Sequence, residues 1–172
     1  MKTRQILPLL AGLVLTAGFA IPAVAATAAK VPDNVTVTFQ DPDSFTDVLE
    51  NGTNSTSTYY LDQLRACIQQ TASPLLAAGQ KLAVTISDID LAGETRFNQP
   101  HQIRIMKDIY TPKIQLKFQL LDADGKVLKE GERRLTDMNY LMQIRRPGSD
   151  EPLHYDKQLL KQWVKDDLKT KS

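Results

Sequence analysis

The sequence contains few of the residues on which catalytic and metal sites most often depend. It has one cysteine and two histidines among 172 residues. A zinc centre held by three histidines is therefore excluded, and the single cysteine, Cys67, excludes a disulfide within the chain. Because an isolated cysteine usually behaves as a small apolar side chain, we predict that Cys67 is a core residue on a helix.

The common catalytic motifs are also absent. The sequence has no G-x-S-x-G, H-E-x-x-H or C-x-x-C motif and no glycine-rich phosphate loop. With His101 and His154 as its only histidines, it offers few general bases. We therefore predict no cofactor and no metal, and we expect a binding function rather than catalysis.

A long apolar run occurs only near the N-terminus. Lys2 and Arg4 precede an uncharged apolar run over residues 6–21, and small residues follow up to Ala25. This pattern is typical of a secretory signal peptide, so we expect cleavage after Ala25 and a periplasmic or secreted protein. No later apolar stretch approaches the roughly 20 residues that span a bilayer, which predicts no membrane span after cleavage.

A strong excess of charge of either sign is absent as well. Removing Lys2 and Arg4 from the 21 basic residues leaves 19, against 20 acidic residues. Nucleic-acid-binding domains normally carry a basic excess, so we predict no nucleic-acid partner. Basic residues do cluster at Arg133–Arg134, at Arg145–Arg146 and along the last helix. We interpret them as a solvated surface, with lipid phosphates or an acidic partner as the alternative.

Alternating apolar residues predict four strands, and helical spacing predicts two helices. The strands lie at 35–39, 82–86, 114–120 and 126–136. The first helix runs from a cap at Ser57 or Thr58 to Gly79, with a kink or restart at Pro74, and the second covers 155–169. At Asp88 the alternation changes phase, so the second strand either ends there or contains a bulge. Ile103 and Ile105 indicate a further short strand, and Thr136 or Asp137 could cap a short helix that runs through Met142.

These elements predict an α+β two-layer sandwich in the order β-α-β-β-β-α. We expect a mostly antiparallel four-stranded sheet with both helices on one face. A right-handed crossover through the first helix would make the first two strands parallel. The predicted organisation is a signal peptide over 1–25, a linker over 26–34 and one domain over 35–172.

Several strings of the sequence are similar to those of one bacterial family. They are Asp88–Glu94, Arg104–Pro112, Leu121–Lys126, Leu135–Leu141 and Pro152–Lys157 followed by Trp163. In combination, over nearly the whole chain after residue 34, they resemble the exported domain-of-unknown-function family 3016. The resemblance implies a secreted or periplasmic bacterial protein and implies no particular reaction.

Three acidic residues form the first candidate site. Asp88 and Asp90 lie two residues apart on a strand and so share a face, and Glu94 follows closely. Their carboxylate oxygens could hold a hard cation such as calcium. Alternatively, the aspartates accept backbone hydrogen bonds at the end of the strand. We favour this second role because calcium usually takes roughly six or more ligands.

A second candidate site comprises Arg104, Lys107, Asp108 and Tyr110, just before Pro112. A guanidinium, an ammonium, a carboxylate and a phenol could bind a polar or anionic ligand. The same groups could instead form internal pairs that hold an irregular loop against the sheet, which we favour because long ordered loops need side-chain hydrogen bonds.

The sequence thus predicts a small exported binding module of the cell envelope. Its expected partner is another envelope protein, or a small polar ligand held near the two candidate sites. The alternative is a hydrolase-like enzyme that uses Asp88, Asp90 and Asp108. An enzyme would gather these carboxylates in a closed pocket, whereas an interaction module would expose an apolar patch or a free sheet edge.

Overall fold

Alternating apolar and polar residues form one main sheet, and two amphipathic segments form the helices that cover it. A computed structural model describes residues 32–49, 55–96, 103–143 and 151–169. The strands are β1 Val35–Phe39, β2 Lys81–Asp90, β3 Glu94–Arg96, β4 Ile103–Ile105, β5 Lys113–Leu121 and β6 Val127–Thr136, and the longer helices are α1 Thr58–Ala72 and α2 His154–Leu168. The predicted signal peptide over 1–25 and residues 26–31 of the predicted linker lie outside the described residues.

The main sheet has four strands in the order β1-β2-β5-β6. β1 runs parallel to β2, whereas β5 is antiparallel to both β2 and β6. The predicted α+β class is thus confirmed, and so is the parallel first pair, which the crossover through α1 explains. The sheet is mixed rather than purely antiparallel. β6, the most polar strand, forms one edge, as its composition predicts.

A bulge lets β2 continue past the point where its apolar alternation changes phase. The register between β2 and β5 shifts between Ile86 and Asp88. Ile86 and Ile89 are therefore both buried although they lie three residues apart in sequence. The bulge is thus the correct one of the two sequence interpretations. It extends β2 to Asp90 and brings two of the candidate carboxylates to the end of the sheet.

Both helices contribute to one buried core on a single face of the sheet. This core draws on the inward residues of the helices and the central strands: Leu64, Ile68, Val84, Leu116, Leu160 and Val164. Trp163 meets the Phe118 ring edge-on at a centroid distance of 5.7 Å. Cys67 is buried on α1, as predicted. Burying one large apolar side chain contributes roughly 1.5–3 kcal/mol to stability. Packing against the sheet, rather than intrinsic helix propensity, therefore stabilises the two helices.

Local signals set the ends of α1. The Ser57 hydroxyl oxygen accepts a hydrogen bond from the Tyr60 backbone N–H at 3.3 Å, so Ser57 is the cap. Pro74 lacks a backbone N–H, and the chain passes from α1 into a 3-10 turn at Ser73–Leu75. Neither α1 nor α2, nor any other helix in the described ranges, is long and apolar enough to cross a bilayer.

Two connections differ from the sequence prediction. β3 and β4 form an additional two-stranded antiparallel sheet in which Thr95 pairs with Arg104. The short helix expected up to Met142 is a single 3-10 turn at Tyr140–Met142. The Asp137 carboxylate accepts a hydrogen bond from the Asn139 N–H at 2.8 Å, and this local turn delays the start of helical structure.

Candidate functional site

The sequence-predicted site residues occupy the end of β2, the short β3–β4 sheet and the loop that leads into β5. Asp88 uses both carboxylate oxygens to hold the segment after β1. Its Oδ1 accepts from the Thr46 backbone N–H at 2.9 Å, and its Oδ2 accepts from the Thr46 hydroxyl at 3.1 Å. This is the backbone-anchoring role that the sequence analysis favours.

Asp90 is engaged differently. Its Oδ2 accepts from the Lys113 ammonium at 2.8 Å, across the β2–β5 pair. Asp88 and Asp90 therefore each hold a separate partner instead of converging on one point. Within the described ranges, no group of three or more His, Cys, Asp or Glu side chains is arranged to hold a metal ion.

Arg104 forms the densest polar contact in this region. Its Nη1 and Nη2 donate to the two oxygens of Asp47 at 2.8 and 3.1 Å, and both side chains are less than one-fifth exposed. Nη1 also lies within hydrogen-bond distance of three successive backbone carbonyls, those of Leu91, Ala92 and Gly93. Arg104 thus ties β4 to the chain that leaves β2 and to the segment after β1.

The loop between β4 and β5 is held mainly by its own backbone. The Tyr110 N–H donates to the Lys107 carbonyl at 2.9 Å, and the Gly93 N–H donates to the Tyr110 carbonyl at 3.0 Å. The Asp108 carboxylate accepts from the Ile109 N–H at 2.9 Å. The loop is therefore fixed in position without using the Lys107 ammonium in these contacts.

Three of the seven predicted site residues do share an open cleft of about 350 Å³. Asp90, Glu94 and Tyr110 line it, together with Asp47 and Lys113. Asp88, Arg104, Lys107 and Asp108 are not among its described lining residues, although Arg104 contacts two residues that are, Asp47 and Gly93. The carboxylates of the proposed enzyme alternative, Asp88, Asp90 and Asp108, are therefore spread over different contacts.

The sequence analysis missed Asp156, which is 2% exposed in the first turn of α2. Its Oδ1 accepts from the Ala92 N–H at 2.9 Å. Burial raises the pKa of Asp156 to about 6, although the hydrogen bonds to its carboxylate and the nearby Arg104 guanidinium act in the opposite direction. One sequence signal could have found it, because Asp156 lies on the same helical face as Leu160 and Trp163.

A second cleft, of about 340 Å³, opens at the start of α2. Arg104, Met106, His154 and Asp156 are among its lining residues. The Nδ1 atom of His154 is buried without a hydrogen-bond partner and lies 3.7 Å from the nearest oxygen of Glu151. Leu153, which precedes α2, has a φ of 58°, a left-handed conformation that is strained for leucine.

An exposed apolar surface lies beside this second cleft, on two neighbouring loops. The Tyr140 hydroxyl donates to the Lys107 carbonyl at 2.7 Å and so joins the loop after β4 to the turn after β6. The two loops joined by this bond carry five apolar side chains that are 41% to 83% exposed, and we call this set the methionine surface: Met106, Ile109, Met138, Leu141 and Met142. Tyr140 itself is buried and packs edge-on against Tyr155 at 4.8 Å.

One member of the basic surface, Arg133, is paired within the molecule. Arg133 donates to both oxygens of Asp167, at 2.8 and 2.9 Å, and Lys129 donates to the same carboxylate at 3.0 Å. Burial alone would raise the pKa of Asp167, but the two cations outweigh it and hold that pKa below its usual value. Arg145 and Arg146 lie outside the described residues.

The resemblance seen in the sequence can be compared with known families. A family model described as "Protein of unknown function (DUF3016)" matches residues 33–166. The chain belongs to the DUF3016 family. The DUF3016 match begins two residues before β1 and ends two residues before the end of α2. It therefore includes both clefts and the methionine surface.

Other comparisons of this DUF3016 protein add little. No curated protein matches the chain. Among solved structures, it is similar to a PelC dodecamer from Paraburkholderia phytofirmans, at 13% sequence identity and a TM-score of 0.38, over 81% of this chain and 88% of that chain. A similarity this distant carries no information on function.

Proposed function

We propose that this protein is an exported, non-catalytic interaction domain that binds a short apolar segment of another envelope protein on its methionine surface. The exposure of that surface carries the proposal. The chain has four methionines including Met1, and Met106, Met138 and Met142 all lie there with partly or largely exposed side chains. Methionine is usually buried, and exposed methionines are characteristic of surfaces that adapt to different partners.

The size of the surface favours a short partner segment over a second copy of the chain. A stable interface uses roughly 20–30 residues from each side. The methionine surface offers five apolar side chains on two loops. An area of this size suits weak, reversible docking of one apolar segment, as in transient envelope assemblies.

The arrangement of the carboxylates also supports binding rather than acid–base chemistry. Asp88 holds the backbone at Thr46, and Asp90 pairs with Lys113. A catalytic pair would be expected to converge on a common point inside a pocket. These carboxylates instead hold neighbouring segments of the fold in place.

The interaction is tested by comparing what wild-type and variant proteins capture. The test variant carries Ile109→Ser, Met138→Ser and Met142→Ser, and the control carries Val127→Ser and Leu128→Ser at two other exposed apolar residues, on β6. Tagged proteins are used to capture partners from envelope fractions, and mass spectrometry identifies what is bound. A partner recovered with the wild type and the control, but at least about tenfold less with the test variant, supports the proposal.

Two results would contradict it. One is a test variant that recovers the same partner as efficiently as the control, and the other is a wild type that recovers no more than an untagged sample. Variant folding is checked by thermal unfolding, since substitutions at exposed positions are expected to change the stability by no more than about 0.5 kcal/mol. A partner that passes the first test is then purified and titrated against the three proteins.

Export is part of the same proposal and rests on the basic residues, apolar run and small residues of positions 1–25. Cell fractionation followed by N-terminal sequencing of the mature protein tests it. We expect a periplasmic or secreted form that begins at Ala26. A cytoplasmic protein that retains Met1 would contradict export.

Binding of a small polar ligand in the cleft at the start of α2 is a second candidate function. It is favoured by the buried Nδ1 of His154, which has no hydrogen-bond partner, and by the strained backbone of Leu153, since both features often mark functional sites. A thermal-shift screen of small polar metabolites tests it, with His154→Phe as the comparison. A compound that stabilises the wild type but not the variant would support this function, and a screen without such a compound would count against it.

A further inference from the structure

The three methionines of the methionine surface differ in how well solvent reaches them. Met142 is 83% exposed, Met138 is 77% exposed and Met106 is 42% exposed. The sulfur of Met106 is also packed against the chain, because a Cβ added at Gly93 would lie only 2.7 Å from it. Solvent therefore reaches the side chains of Met138 and Met142 more easily than that of Met106, whose sulfur lies against the backbone at Gly93.

We propose that Met138 and Met142 are sites of reversible sulfoxidation, and that their oxidation by a peroxide or hypochlorous acid switches off binding at the methionine surface. The regulatory part of this inference rests on the proposed function of that surface. The modification itself depends only on the chemistry and exposure of the two side chains.

The reaction is a two-electron oxygen transfer. With hydrogen peroxide, a sulfur lone pair attacks one peroxide oxygen, the O–O bond breaks, and a sulfur–oxygen bond forms. The sulfur is oxidised by two electrons, the peroxide is reduced, and the second oxygen leaves as water. Methionine sulfoxide reductases return the sulfoxide to the thioether: two thiols supply the two electrons and become a disulfide, and the oxygen leaves as water.

Sulfoxidation opposes the binding mode because it changes the polarity of the two side chains. A thioether is apolar and flexible, whereas a sulfoxide is polar and strongly hydrated. A partner segment would then have to strip water from two polar groups that its apolar side chains cannot satisfy. Neither side chain belongs to the buried cluster of the core, so the fold should tolerate their oxidation.

The first test measures where oxidation occurs. The folded protein is treated with hydrogen peroxide for a series of times, and peptide mapping by mass spectrometry gives the oxidised fraction of each methionine. We expect Met138 and Met142 to react several-fold faster than Met106, and all three to react at similar rates in denaturant. Equal rates for all three methionines in the folded protein would overturn the site assignment.

The second test measures whether oxidation changes the surface, without needing a partner. Retention on a phenyl column is compared before and after peroxide treatment, and again after reduction with methionine sulfoxide reductases. The wild type should lose retention on oxidation and recover it on reduction, whereas the Met138→Leu and Met142→Leu double variant should stay unchanged. Stoichiometric sulfoxide at both residues with no loss of retention would overturn the switch.

The outcomes separate this inference from the proposed function. Loss of partner capture by the serine variant, with capture unaffected by oxidation of the wild type, would refute the switch and leave the docking function intact. Selective, reversible oxidation in a protein whose serine variant still captures its partners would refute the docking function and with it the regulatory role. The two sulfoxidation sites would still stand.

Discussion

Arg104 and Asp47, which lie 57 residues apart in sequence, form a two-point ion pair with N–O distances of 2.8 and 3.1 Å. This pair and the adjacent carbonyl contacts of Arg104 join three otherwise separate segments: the chain after β1, the chain after β2, and β4. Since a guanidinium can donate five hydrogen bonds in a fixed plane, no lysine could replace it here.

We predict that Arg104→Ala lowers the free energy of unfolding by about 2–4 kcal/mol, because it leaves a mostly buried carboxylate and several carbonyls without their donor. Urea unfolding at neutral pH measures the loss. Lys113→Ala is the matched control, since the Lys113–Asp90 pair is more exposed and should contribute less than about 1 kcal/mol. Equal losses in the two variants would contradict this account of Arg104.

The pH dependence of the free energy of unfolding should show the titration of Asp156. The pKa of Asp156 is about 6 in the folded protein and 3.8 in an ordinary environment. Between these values the folded state binds more protons than the unfolded state, so stability rises as the pH falls from about 6 to about 4. The difference between the two pKa values corresponds to about 3 kcal/mol.

The measurement compares Asp156→Asn with the wild type in urea unfolding series from pH 4 to pH 8. Other groups titrate in both proteins, so the quantity of interest is the difference between their stability curves. That difference should change between pH 4 and pH 6 and stay constant above about pH 7. Parallel curves over the whole range would show that Asp156 does not titrate in this window.

Lys157 offers a test of how a buried charge contributes to stability. Its residue is 7% exposed, and its ammonium contacts Gln63 Oε1 at 3.0 Å and Glu151 Oε1 at 3.4 Å. We predict that Lys157→Met changes the free energy of unfolding by no more than about 1 kcal/mol, because methionine keeps the packing and removes the cost of burying the charge. Lys157→Ala, which loses both, should cost about 2 kcal/mol or more. The prediction fails if both variants lose the same stability in urea.

Two glycines with nearly the same φ make it possible to distinguish the cost of backbone strain from the cost of steric crowding. Gly93 and Gly125 have φ values of 83° and 82°. A Cβ at Gly93 would lie 2.8 Å from the Ile105 carbonyl oxygen, whereas a Cβ at Gly125 would meet nothing within 4 Å. Gly125→Ala should therefore cost only the left-handed strain of about 1–2 kcal/mol. Gly93→Ala should cost clearly more, and equal melting temperatures for the two variants would contradict this.

The main sheet and the helices could be predicted because their patterns are long. In β5, Ile114, Leu116 and Phe118 alternate with polar residues and are all buried, so the alternation identifies both the strand and its inward face. The change of phase at Asp88 was visible as well, but the sequence left a bulge and a strand end as alternatives, and the pairing with β5 decides for the bulge. Alternating and helical spacings of apolar residues can be recognised because strands and helices repeat the same backbone geometry over many residues.

Features that form between distant parts of the chain are harder to predict from the sequence. Ile103 and Ile105 indicated β4, but its partner β3 has only three residues, too few for an alternation to be recognised. The Asp47 partner of Arg104 could not be found because its approach depends on the whole β1–α1–β2 unit. The methionine surface was missed for the same reason, since the loops that carry Met106 and Met142 are joined only in the folded chain, by the hydrogen bond from Tyr140 to the Lys107 carbonyl.

The parallel pairing of β1 with β2 has a consequence for the order of assembly. The ribosome delivers β1 first, but its hydrogen-bonding partner is separated from it by all of α1. The β5–β6 hairpin closes across a short turn and needs no other part of the chain to form its ladder. We therefore expect the C-terminal hairpin to form early and the N-terminal strand to dock late. Until β1 docks, Val35 and Val37, which are buried in the folded protein, remain exposed to solvent.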